Sequence, residues 1–180
     1  MAWTRSISLK KTSREKLGLA EVICNTSPLQ YLHQRSLLHL LPALAGRITV
    51  PPAVAEEVLA GRSRGLDLPD ISRLDWVTIR PPASPKVLRL ATDLGPGEAE
   101  VLALALETTE SMVVLDDALA RRAAMMLGIR LTGTLGVLLE AKRGGLLRVV
   151  TPFLDQLQGL RFRLSPHTRA AVLKLAGESS

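Results

Sequence analysis

The strongest constraint on this chain is an alternation. Short apolar runs closed by turn residues are followed by longer stretches with helical spacing. The runs are Glu21–Asn25, Arg47–Val50, Trp76–Arg80, Ser111–Leu115 and Ile129–Leu131. They are too short for core helices and read as strands, most of them buried on both faces. Strands that alternate with helices predict an α/β fold, a parallel sheet with helices covering both sides.

The helical stretches carry their own punctuation. Leu29–Leu44 reads as two helices meeting near Arg35–Ser36, with Ser27 as N-cap, Pro28 in the first turn and Gly46 as the stop. Pro51-Pro52 opens a helix through Ala60, closed by Gly61, and residues 62–75 read as a loop with a weak helical turn. A short helix is expected over 85–94. Gly95-Pro96-Gly97 then launches Glu98–Glu107, with Val101, Leu102, Ala105 and Leu106 on one face. Ala118–Leu127 is capped by Gly128, and Leu135–Arg143 is stopped by Gly144-Gly145. Two more helices are expected at 152–158 and 166–176, the latter with Ser165 as N-cap and Pro166 at its first position.

A length of 180 residues with 47% hydrophobic content suits one core. Residues 1–20 lack periodicity and read as a flexible basic arm, leaving 21–180 as the domain. The single cysteine, Cys24, excludes an internal disulfide and reads as a small buried hydrophobe. The apolar stretch Ser36–Gly46 is shorter than the about 20 residues that span a bilayer, and the N-terminus has no signal-like apolar segment. A soluble cytoplasmic protein with no membrane partner is expected. No Gly-x-Gly-x-x-Gly follows the first strand and no P-loop occurs. Aromatic residues are only 3%, which argues against a sheet or groove built on stacked aromatics.

The net charge of +6 is unevenly spread. Residues 1–20 are net +4, residues 21–140 net −3 and residues 141–174 net +6. Basic ends around a mildly acidic body suit metal-assisted chemistry on a polyanion.

In open α/β sheets the functional crevice lies beyond the carboxyl ends of the strands, where strand order reverses. Asn25 and Asp116 each follow a strand, and they face each other if the first and fourth strands are neighbours. Glu57 shares a helix face with Val54, Val58 and Gly61 and points inward, whereas Glu56 points to solvent. Glu98 begins the helix before the fourth strand. Inward carboxylates need compensating charge, and the neighbouring cations are Arg121 and Arg122. The four acids Glu57, Glu98, Asp116 and Asp117 suit one or two hard cations such as Mg²⁺, which take oxygen ligands and can clamp a phosphodiester. Singly, each acid has an ordinary structural role. On that reading Glu98 complements a helix dipole, Asp116 or Asp117 caps the next helix, and Glu57 is an ordinary surface acid and not an inward one. Ser27 lacks a histidine partner that would make it a nucleophile.

Five segments carry a resemblance: V-I-C-N-T-S-P-L (22–29), V-P-P-A-V-A-E-E-V (50–58), L-G-P-G-E-A-E (94–100), V-V-L-D-D-A-L-A-R-R-A-A (113–124) and T-G-T-L-G-V-L-L-E-A-K (132–142). In order and spacing they resemble the PIN-domain family, in the branch with G-P-G-E-A-E and G-T-L-G-V-L. The resemblance covers about residues 21–176. It implies a doubly wound, three-layer α/β/α fold with a five-stranded parallel sheet. It also implies Mg²⁺- or Mn²⁺-dependent ribonuclease activity, and for many relatives a toxin role in a type II toxin–antitoxin pair and a homodimer.

Carried over residue by residue, the metal set is Asn25, Glu57, Glu98, Asp116 and Asp117, and the four acids among them are the catalytic candidates. Ser27 and Thr134 are supporting residues, Ser27 matching the small hydroxyl that follows the first acid. The family usually has Asp where this chain has Asn25, which offers a carbonyl oxygen but no charge. That substitution keeps open a binding module with a weakened site. A phosphoacceptor domain of the receiver type is disfavoured, because its acidic pair should follow the first strand. The basic stretch Lys142, Arg143, Arg148, Arg161 and Arg163 is expected to hold the RNA backbone.

Overall fold

The computed structural model describes residues 21–84, 93–160 and 162–178. The arm 1–20, most of the helix expected at 85–94, and Arg161 lie outside the described residues. The five apolar runs form strands β1 (Glu21–Cys24), β2 (Ile48–Val50), β3 (Val77–Ile79), β4 (Ser111–Val114) and β5 (Arg130–Thr132). The order is β3-β2-β1-β4-β5 and every pairing is parallel.

Between the strands lie α1 (Thr26–Gln34), α2 (Leu40–Ala45), α3 (Pro52–Ser63), a 3₁₀ turn (Ile71–Arg73), α4 (Pro96–Leu106), α5 (Ala118–Met126) and α6 (Thr134–Arg143). Two more helices, α7 (Thr151–Gly159) and α8 (Pro166–Ala176), follow the last strand. Helices α3, α4 and α5 pack side by side, with α4 lying against β1 and β4, while α2, α6 and α8 form the second group. The result is the expected three-layer α/β/α arrangement. Central strands covered on both sides explain why Ile23, Cys24, Val50 and Val113 are fully buried.

Several local expectations are corrected. Gly61 does not close α3. It is buried within the helix, and an added Cβ would meet Leu68 Cδ1 at 2.4 Å, so the missing side chain admits Leu68; the left-handed residue is Gly65 instead. Ser27 is not the N-cap of α1, because the helix starts at Thr26, two residues before Pro28, and Asn25 holds the cap position. Leu106 is 51% exposed, since α4 buries Gly97, Ala99 and 101–105 more evenly than one stripe would. The break between α1 and α2 falls where expected, at Ser36 with φ 56°. Ser165 caps α8 by accepting from Thr168 N at 3.0 Å.

The C-terminus is fastened by one side chain. Glu178 accepts from Val150 N at 2.7 Å, Thr151 N at 2.9 Å and Thr151 Oγ1 at 2.5 Å, and it pairs with Lys142. It thus caps α7 from a distance and ties it to α6. Burial pushes the Glu178 carboxyl up, but Lys142, Thr151 and Val150 outweigh it and hold the pKa at about 2, below the ordinary 4.5. A depressed carboxylate stabilises the fold above its unfolded pKa and ceases to do so as pH falls through the folded one. The wild type should therefore lose a step of stability between pH 4.5 and about 2 that Glu178→Ala lacks. At neutral pH the variant should melt roughly 3 °C lower, for the loss of about 1 kcal/mol of capping. Coincident acid-melting curves would refute this fastening.

Candidate functional site

Strand order reverses between β1 and β4, so the crevice opens at their carboxyl ends. The ladder reaches into it: Asn25 N donates to Val114 O at 3.1 Å and Leu115 N to Thr132 O at 2.9 Å. A cavity of about 600 Å³ opens there, lined by Ser27, Glu98, Asp116 and Asp117 among others.

The two aspartates divide their work. Asp117 is exposed and caps α5, accepting from Ala120 N at 2.9 Å. Asp116 is held by Thr134, which donates its N–H to Oδ1 at 2.8 Å and its hydroxyl to Oδ2 at 2.6 Å. Burial pushes the Asp116 carboxyl above the ordinary range, while the Thr134 donors and the Arg121 charge offset part of that shift. Arg121 is fixed in turn by donating from Nη1 to Leu115 O at 2.8 Å and Thr132 O at 3.1 Å.

The glycine of T-G-T has a role in this contact. A Cβ on Gly133 would stand 2.7 Å from Asp116 Oδ1, 2.9 Å from Leu115 O and 3.0 Å from Arg121 Nη1. Gly133→Ala should displace all three and destabilise the chain by about 1–3 kcal/mol. Thermal melting checks this; a variant that melts with the wild type would refute the close packing of Gly133 against Asp116.

Asn25 is fully buried. Its amide Nδ2 donates to Glu98 Oε1 at 3.0 Å, so the side chain in the cap position serves Glu98 instead of the helix. Its Oδ1 is buried with no hydrogen-bond partner, and an orphaned buried carbonyl is costly.

Glu57 points inward, as expected, but does not line the cavity. Its carboxylate accepts from Thr26 Oγ1 at 2.5 Å and Gly97 N at 2.9 Å. Glu100 returns the contact, accepting Ala53 N at 2.9 Å. Helices α3 and α4 therefore cap each other's first turns with acids from their partner. This accounts for two of the sequence signatures together. Gly97 is bare because a Cβ would meet Glu57 Oε1 at 2.7 Å, Glu98 faces Asn25, and Glu100 faces α3. Glu56 is exposed.

Among the described residues no three His, Cys, Asp or Glu side chains lie close enough together to hold an ion by themselves. The donor set still suits a hard cation. It offers an unpartnered carbonyl oxygen, an acid raised by burial, and Glu98 and Asp117 on the same cavity, while Mg²⁺ and Mn²⁺ accept oxygen ligands and Mg²⁺ keeps several waters. Cys24 plays no chemical part: burial, and then the charge of Asp116, push its thiol up.

The basic C-terminal stretch does not act as one patch. Lys142 pairs with Glu178 and Arg143 with Glu140, and among the described residues of the stretch only Arg163 lines the cavity. Sequence reasoning missed Tyr31 and Phe162, which also line the cavity, and Thr26 and Glu100, which brace it. The first two come together only through the fold, being distant in sequence. Glu100 was legible in principle as an acid on α4 facing away from Glu98.

These features define a class: a three-layer α/β/α protein with an acidic cavity at the switch point of a parallel sheet. A family model described as the PIN domain matches residues 21–178, and the chain belongs to the PIN-domain family. Membership supports a nuclease-type function, and PIN domains generally use divalent metal ions. Comparison with curated proteins and with solved structures gave no match. Among the described residues no helix is long and apolar enough to cross a membrane.

Proposed function

We propose that this chain is an Mg²⁺- or Mn²⁺-dependent ribonuclease of the PIN type, acting in the cytoplasm as the toxin of a type II toxin–antitoxin pair. The observation that carries the ribonuclease reading is the buried, unpartnered Asn25 Oδ1 beside Glu98, next to a crevice that also holds Asp116. Asn25, Glu98, Asp116 and Asp117 would hold the ion. When bound, it supplies a Lewis acid for the phosphodiester and lowers the pKa of water.

The chain's own residues do the rest. Thr134 orients Asp116, and Asn25 holds Glu98 by its amide. Glu57 fixes the start of α4, and with it the position of Glu98. Arg122 and Arg163 are exposed on the cavity and, among the described residues, sit in no ion pair, so they are available to phosphate.

The test is titration with Mg²⁺ and Mn²⁺, followed by cleavage of a mixed-sequence RNA by protein freed of host nucleases. The ion should raise the melting temperature by linkage and start cleavage; no shift at millimolar metal and no cleavage reject the reading. The toxin role and the homodimer rest on the sequence signatures. A small neighbouring gene for a DNA-binding antitoxin that co-purifies with the chain, and sedimentation as a dimer, would support them.

A second reading is a PIN-type binding module that no longer cuts. The Asn25–Glu98 hydrogen bond favours it, because the amide N–H already satisfies a Glu98 oxygen that a cation would otherwise hold.

A further inference from the structure

The chain has one tyrosine and two phenylalanines. Tyr31 and Phe162 stand together on the wall of the acidic cavity, from opposite ends of the chain. Their ring centroids are 5.0 Å apart and their planes meet at 80°, an edge-to-face pair. Neither ring is fully buried. Such a pair is favourable in itself, but edge-to-face packing leaves the faces of the edge-on ring uncovered by its partner. Arg122 and Arg163 are exposed on the same cavity, and Arg163 is next in sequence to Phe162.

We propose that Tyr31 and Phe162 form a base-stacking subsite that holds one unpaired nucleobase beside the phosphate to be cut. The inference rests on the ribonuclease reading and adds two substrate-positioning residues to it. A base in a duplex has both faces covered by its neighbours and cannot stack on a protein ring; an unpaired base can be splayed out onto one. Acidic walls repel phosphate, so a strand drawn in by arginines needs a further apolar hold near the acids. Stacking supplies such a hold without demanding a particular sequence. The sparse aromatic content of the chain argues against an extended stacking sheet, and this is a single position, not a sheet.

The experiment uses the whole chain and short single-stranded RNA oligomers identical except for one abasic position moved along the strand. Binding is measured by anisotropy with Ca²⁺ in place of Mn²⁺, and cleavage separately with Mn²⁺. One abasic position should weaken wild-type binding about tenfold. Phe162→Leu and Tyr31→Leu should bind the intact oligomer about tenfold more weakly and no longer distinguish the abasic one, while Tyr31→Phe should keep the discrimination. A purely structural role would instead weaken all oligomers alike. If the leucine variants fail to fold, 2-aminopurine at the sensitive position reads stacking in the wild type by its quenching. Should RNA be bound and cut with no abasic position mattering, or with discrimination surviving in both leucine variants, the subsite is overturned and the nuclease stands. An intact oligomer that is neither bound nor cut overturns both.

Discussion

Asp116→Asn should cut RNA cleavage by about a hundredfold or more while leaving the metal-free fold as stable as the wild type or more so. The first half follows from charge: a hard cation at this site is worth several kcal/mol to a phosphoryl reaction, and each 1.4 kcal/mol is about tenfold in rate. The second half follows from the geometry around the side chain. An asparagine keeps an oxygen for Thr134 N–H and can donate its amide to Thr134 Oγ1, so both hydrogen bonds have replacements. It also removes a carboxylate that burial disfavours. Arg121 stays anchored by Leu115 O and Thr132 O. Melting in EDTA and cleavage with Mn²⁺ measure the two halves. Unchanged cleavage would sink the assignment of the site.

Asn25→Asp should behave in the opposite way. Asn25 Nδ2 lies 3.0 Å from Glu98 Oε1, and an aspartate there has no proton to donate. Two carboxylates at that separation cannot both stay ionised without a proton or a cation between them. The metal-free variant should melt roughly 5 °C below the wild type, as expected for losing a buried hydrogen bond to a charged group. Mn²⁺ should restore it, and cleavage should begin at lower Mn²⁺ than in the wild type. If the wild type binds RNA without cutting, the same change should introduce metal-dependent cleavage. A Mn²⁺ dependence identical to the wild type would remove Asn25 from the site. Glu56→Gln, an exposed change on α3, is the control and should alter neither quantity.

The fold was legible in the sequence because its signals are local. Five apolar runs closed by turn residues became five parallel strands, and Ser165-Pro166 and Gly128 marked helix ends where they were expected. The misses were tertiary. Gly61 reads as a helix stop until Leu68 is seen packed against it, and Ser27 reads as a cap until Asn25 is seen turned to Glu98. Around the site, inward acids could be found from helical spacing, but not their partners. Glu57 and Glu98 look alike in a one-dimensional reading, yet one braces two helices and the other lines the cavity. Tyr31 and Phe162 carried no signal at all, because nothing local links residues so far apart.

The mutual capping of α3 and α4 bears on when, during synthesis, the acids of the chain come into place. Glu57 waits for Gly97, Asn25 for Glu98, Asp116 for Thr134, and the start of α7 for Glu178. Each early segment is completed by one made later on the ribosome. A nascent chain stopped before residue 134 lacks the donors that hold Asp116, and one stopped before residue 178 lacks the fastening of its last helices. The crevice is thus completed only by its later-made segments, and an unfinished chain on the ribosome carries its acids unarranged.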